Sequence, residues 1–168
     1  MVYAMRVPVI PDGYKLAAVT ELVLGAGGPW GSLPDLINPE AFNVFRRLGL
    51  EPYVKIVGHH FGKTIPGIFT DEAKPHGSYP LTTDLFESFK KRFGYDLQDN
   101  LYRLFNEPLD ERYIRTRIDY RLWLRDRFLN SFVQPYCRWC DDHGLYMAGH
   151  FSPEDDPIIE VACLPACM

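Results

Sequence analysis

Two short β-rich runs in this sequence end beside acidic and imidazole side chains. Residues 64–70 read TIPGIFT, and Asp71 and Glu72 follow at once. Residues 145–151 read LYMAGHF, with His150 near the end of the run and Glu154, Asp155 and Asp156 just beyond it. Catalytic groups of parallel α/β folds gather at the carboxyl ends of strands, so both clusters stand where chemistry is expected. A carboxylic acid in such a place can protonate a glycosidic oxygen once burial or a second carboxylate raises its pKa. Neighbouring residues on a strand point in different directions, so one of Asp71 and Glu72 is expected to face a pocket while the other braces the loop. Glu72 is the expected proton donor and Asp71 the expected brace, with His150 contacting substrate or orienting the acid. The plainer alternative has Asp71 capping the following loop and Glu72 in solvent.

Further candidates for a ligand face are His76 and Tyr79, in the loop after Glu72, and Trp30, in a Gly/Pro-rich loop. Glu154 is a candidate too, at the second run. Trp123 and Trp139 fall on a long helical pattern and are expected to pack. His59 and His60 lie near a helix end, where cationic side chains are favoured. The glycines of residues 25–31 (GAGGPWG) lack the Lys-Ser/Thr of a phosphate-binding loop. The cysteines, Cys137, Cys140, Cys163 and Cys167, faintly resemble zinc-site spacing. The first pair sits in a helical pattern, so buried thiols are expected and neither a metal nor a cofactor is assigned.

Several elements must hold these groups in place. Residues 14–24 read as a strand and residues 25–34 as a loop. Asn38, Pro39 and Glu40 form a helix start. Gly49 and Pro52 predict a kink or two short helices near Leu50, and the helix resumes to stop at Gly62. Residues 64–70 predict a buried parallel strand. Thr82 or Thr83 should cap a helix that runs to Phe93 and ends at Gly94, with its charges ordered to suit the helix dipole. A short helix is expected over 97–105. A long one is expected over 111–143, with Ile118, Leu122, Leu129, Phe132, Tyr136 and Cys140 as its apolar stripe and a kink at Pro135. Gly144 ends it, and residues 145–151 predict a second buried strand. No internal repeat is visible.

Strands joined through helices imply parallel pairing, hence an α/β fold. The 168 residues suit one domain, whereas a full barrel takes about 250. The expectation is therefore a single incomplete domain over 1–168, a partial (β/α)8, TIM-barrel-like fold. A hydrophobic share of 46% argues for a folded chain rather than disorder. A net charge of -4 without a basic stripe argues against nucleic acid as a partner. No apolar run approaches the roughly 20 residues of a membrane span. The first eleven residues lack a signal-peptide core, which predicts a cytoplasmic chain if Met1 is the natural start.

The residues carry a resemblance. Residues 38–41 (NPEA), 61–72 (FGKTIPGIFTDE), 86–97 (FESFKKRFGYDL) and 139–145 (WCDDHGL), followed by Gly149-His150, resemble large bacterial glycoside hydrolases of the α-L-rhamnosidase-like family 106 and its relatives. The resemblance covers about residues 35–155 in the expected order. It implies the central part of a (β/α)8 barrel acting on O-glycosidic bonds of a carbohydrate substrate, with the acid after the FTDE strand. It also implies an inverting reaction, and calcium in some members, for which this sequence offers no assignable ligands. The relatives are much longer, and a second catalytic carboxylate is expected from another strand. Pro52 stands where they have uninterrupted helix, and Leu81 where they often have Trp. The expected outcome is a glycosidase whose isolated chain is weakly active or inactive. The alternative is a non-catalytic carbohydrate- or partner-binding remnant that self-associates through exposed barrel edges.

Overall fold

The structure is a computed structural model that describes residues 34–71, 73–75 and 79–149. The expected strand over 14–24, most of the loop after it and the tail beyond 149 lie outside the described residues. In chain order the elements are α1 (Ala41–Phe45), a π turn (Arg46–Leu50), α2 (Glu51–Val57), a 3-10 turn (Gly58–His60) and β1 (Gly67–Thr70). Next come α3 (Leu85–Phe93), α4 (Leu97–Asn100), α5 (Tyr102–Phe105), α6 (Glu111–Phe128), a second π turn (Leu129–Val133), α7 (Gln134–Asp142) and β2 (Tyr146–Gly149). This is a mixed helix and strand fold with a parallel pair, compatible with α/β. The chain divides into two compact units, one described over 79–124 and the other over 34–71, 73–75 and 125–149.

In the first unit, α3 buries Leu85 and Phe89 while Lys90, Lys91 and Arg92 lie near its negative end. It stops at Gly94, which has φ 79. The capping expectation is revised: Asp84 flanks the helix, and Thr82 contributes its carbonyl, which accepts the Leu85 amide at 3.2 Å. The short helix over 97–105 is two single turns, burying Leu97 and Leu104. Asp110 opens α6, accepting the Arg112 amide at 2.9 Å.

Of the stripe expected over 111–143, Phe132, Tyr136 and Cys140 are buried beyond α6, but within α6 the buried residues are Tyr113, Thr116, Asp119, Tyr120, Trp123, Leu124 and Phe128, which corrects its first part. Ile118 is 53% exposed, as is Ile114. Hydrogen bonding explains the shift. The Tyr120 hydroxyl donates to the Pro80 carbonyl at 2.6 Å, and the Trp123 indole donates to Ser88 at 2.9 Å. Buried Thr116 donates to the Arg112 carbonyl at 2.8 Å, and Asp119 accepts from the Tyr95 hydroxyl at 3.0 Å. A search for apolar residues alone passes over polar side chains that are buried because they are satisfied.

In the second unit the capping expectation is also revised: Glu40 flanks the first helix, and Asn38 forms the turn that leads into it. Its side chain accepts the Glu40 amide at 2.9 Å and its carbonyl accepts the Ala41 amide at 3.0 Å. The core is aromatic: Phe42 packs on Tyr136 at 5.8 Å, and Phe132 lies 5.9 Å from Phe128 and 5.7 Å from Tyr136 between ring centres. Arg127 and Ser131 both donate to the carbonyl of buried Ile37, at 3.0 and 3.2 Å.

The prolines act through the helix upstream of them. A helical proline has no N–H to donate, and its ring crowds the carbonyl four residues back. Before Pro52, Glu51 donates to the Arg46 carbonyl, and before Pro135, Gln134 donates to that of Leu129. Both bonds reach back five residues, so each proline follows a widened π turn at the same offset. Beyond each proline the helix continues, ends near a glycine of positive φ (Gly62 or Gly144) and leads to a strand. The second unit thus contains two similar helix-to-strand segments that sequence inspection does not reveal.

β1 and β2 pair in parallel, with Gly67 opposite Tyr146, Ile68 opposite Met147, Phe69 opposite Ala148 and Thr70 opposite Gly149. Parallel pairing is as expected, but burial is not. Phe69 is 62% and Tyr146 76% exposed. Alternation puts these two on one face and Ile68 and Met147 on the other, and only the latter face meets α7, where Cys137 touches Met147. The run's apolar, β-branched composition suggested cover on both faces; the described residues supply it on one.

Glycine makes the close pairing possible. A Cβ on Gly67 would lie 2.6 Å from the Tyr146 carbonyl oxygen. A Cβ on Gly149, where φ is 135, would collide with the Thr70 carbonyl and lie 2.8 Å from its nitrogen.

Two predictions follow from this packing. Gly149→Ala should lower unfolding free energy by about 1–3 kcal/mol through backbone strain and weaken the strand ends further through the collision. Gly94→Ala, where a Cβ meets nothing within 4 Å, should cost less, and urea unfolding of both variants compares them. The second concerns Tyr95, whose pKa burial pushes from 10.0 to about 12, helped by the Asp119 carboxylate. Its contribution is full below its unfolded pKa of 10.0 and is lost as pH rises toward 12. The urea midpoint should therefore fall between those limits. Tyr95→Phe should be less stable at neutral pH by about 1–3 kcal/mol and decline less steeply with alkali.

Candidate functional site

The strand ends are the candidate site. β1 and β2 run side by side in the same direction and finish level with one another, Thr70 beside Gly149. Asp71 follows Thr70 directly and is exposed. In the sequence Glu72 comes one residue later, and His150 comes directly after Gly149. Glu72, His150, Glu154, His76 and Trp30 all lie outside the described residues. The part of the expected site that is described is therefore its floor: two parallel strand ends and the Asp71 backbone leaving one of them.

A parallel pair has a defined chemical polarity. Both chains present their carboxyl ends at the same edge, so side chains from distant parts of the sequence can meet there. Residues 70 and 149 are brought level by a register that the glycines at 67 and 149 permit.

Tyr79 belongs to the other unit and serves its packing. Its hydroxyl donates to the Leu104 carbonyl at 2.7 Å, and its ring lies 4.9 Å from Phe105 and 5.5 Å from Tyr120. Trp123 and Trp139 are buried, 3% and 5% exposed, in keeping with packing roles. His143 is stacked on Trp139 at 4.1 Å, and its Nδ1–H donates to the Trp139 carbonyl at 2.7 Å. His59 and His60 form an exposed 3-10 turn with ring centres 4.0 Å apart.

Among the described residues no three His, Cys, Asp or Glu side chains come together as metal ligands. No described helix is long and apolar enough to cross a membrane.

A contact that sequence reading missed joins α7 to β2. Cys137 is half-buried, Cys140 is buried, and the Cys137 thiol lies 3.3 Å from the Met147 sulfur. Burial raises the Cys137 pKa and pushes that of Cys140 to about 11, each with help from Asp141. Spacing in the sequence gives no sign of the sulfur pair, because it depends on the turn at Gly144 folding β2 back along α7.

No protein-family model matches this chain, and no curated protein matches it either.

Proposed function

We propose that this chain is a portion of a glycoside hydrolase barrel, of the α-L-rhamnosidase-like type, whose intact form hydrolyses O-glycosidic bonds. The observation that supports this reading most is the level, parallel ending of β1 and β2, with Asp71 leaving the first of them. A partial (β/α)8 barrel accounts for it, since each strand follows a helix and the helical excursion between them spans residues 71–145. Glu72 is the proposed proton donor, and Asp71 its brace or substitute. The carbohydrate lies across the strand ends, in contact with His150 and Glu154. Glycosidases need two carboxylates, and the partner acid comes from another strand of the barrel, outside the residues described, so weak hydrolysis is expected of the chain alone.

Aryl-glycoside hydrolysis tests the reading. Weak turnover by the wild-type chain should fall by roughly 10²–10⁴-fold in Glu72→Gln, the range expected when a general acid is removed. Turnover that both Glu72→Gln and Asp71→Asn leave intact removes the site.

The exposure of Phe69 and Tyr146 on one sheet face favours a second reading, a binding remnant. The described residues supply only two strands; a two-stranded sheet is marginally stable alone, and apolar side chains beside uncovered strand edges promote association. Light scattering at micromolar concentration should then report oligomers, with Phe69→Lys shifting them toward monomer; a monodisperse wild-type monomer counts against this reading.

A further inference from the structure

We propose that Cys137, Met147 and Cys140 form a binding site for a soft monovalent metal ion, copper(I) or its analogue silver(I). The Cys137 and Met147 sulfurs come from different elements, α7 and β2, and meet at 3.3 Å. A metal held about 2.3 Å from each sulfur, the usual length of a metal–thiolate bond, would see them at an angle of roughly 90°. It would therefore sit to one side of the pair rather than between them, leaving a direction open for a third donor. Cys140 supplies it. It lies one helical turn beyond Cys137, and side chains three apart share a helix face.

The donor set selects the metal. Thiolate together with thioether is the combination that favours copper(I), whereas zinc takes thiolate, imidazole and carboxylate. The surroundings suit a cation: Asp141 is close enough to act electrostatically on both thiols, and Arg138 opposes it at Cys137. Met147 has three rotatable side-chain bonds, so its sulfur can withdraw the roughly 0.7 Å that a trigonal ligand angle requires. Binding replaces a thiol proton by the metal: a copper–sulfur bond forms, the S–H bond breaks, and the proton passes to solvent. The metal's oxidation state does not change.

Cys163 and Cys167 would also take up a soft metal, so the test uses the full chain carrying Cys163→Ser and Cys167→Ser. Anaerobic titration with copper(I) against a colorimetric chelator should show one ion bound per chain, and X-ray absorption should show sulfur ligands. In that background Cys137→Ser and Met147→Leu should each weaken binding by at least roughly tenfold, since even outer-shell losses at metal sites cost that much. Circular dichroism checks that both variants remain folded, and silver(I) titration repeats the comparison with an ion that does not oxidise. Failure of the background protein to bind either ion overturns the proposal. So does unchanged affinity in both folded variants, or a preference for zinc(II) over copper(I).

Discussion

The close approach of β1 to β2 is the constraint on which the second unit's architecture rests. Two parallel strands cannot be joined by a tight turn, so the chain must leave at Thr70 and return at Tyr146 through a long helical excursion. Its register is set by sterics. At Gly67 and at Gly149 the neighbouring backbone occupies the place a side chain would take. A β-carbon at either position would push the strands apart and break the ladder. The candidate site follows from the same fact, because only this register brings the Asp71 end level with the Gly149 end.

Helix interruptions deliver the strands. Pro52 and Pro135 would each destabilise a regular helix interior by about 3 kcal/mol. Each is accommodated by a widened turn in which the preceding residue reaches the carbonyl five back. The side chains after that turn are rotated relative to those before it. The Phe132 and Tyr136 rings, four residues apart, remain packed together across the junction, and Cys137 points to the sheet face that carries Met147. Proline thus acts as a phase shift between helix segments.

Much of the local structure was legible. Gly62, Gly94 and Gly144 mark helix ends through chemistry confined to a few residues, a positive φ that ends the helical run, whereas the starts expected at Asn38 and Thr82 or Thr83 fall at Glu40 and Asp84. Parallel pairing was legible from strand, helix, strand order. The exposure of Phe69 and Tyr146 was not, since an apolar run looks the same whether one face or both are covered. The α6 stripe was misread because Thr116 and Asp119 are held inside by partners distant in sequence, Asp119 by Tyr95 above all. Of the candidate site, the positions of the two strand ends were legible, and the sulfur contact of Cys137 with Met147 was not.

The sequence by itself determined where helices end at Gly62, Gly94 and Gly144, that two short strands run parallel, and that Asp71 follows one of them, because the first and last depend on neighbouring residues and the pairing on the order of strands and helices. Tertiary structure decided the rest: which face of the sheet meets α7, which residues of α6 turn inward, and how Thr70 aligns with Gly149. Those outcomes depend on contacts between segments dozens of residues apart. Which contacts form is settled by close packing and by the pairing of buried polar groups, and neither is encoded in the spacing along one strand or helix.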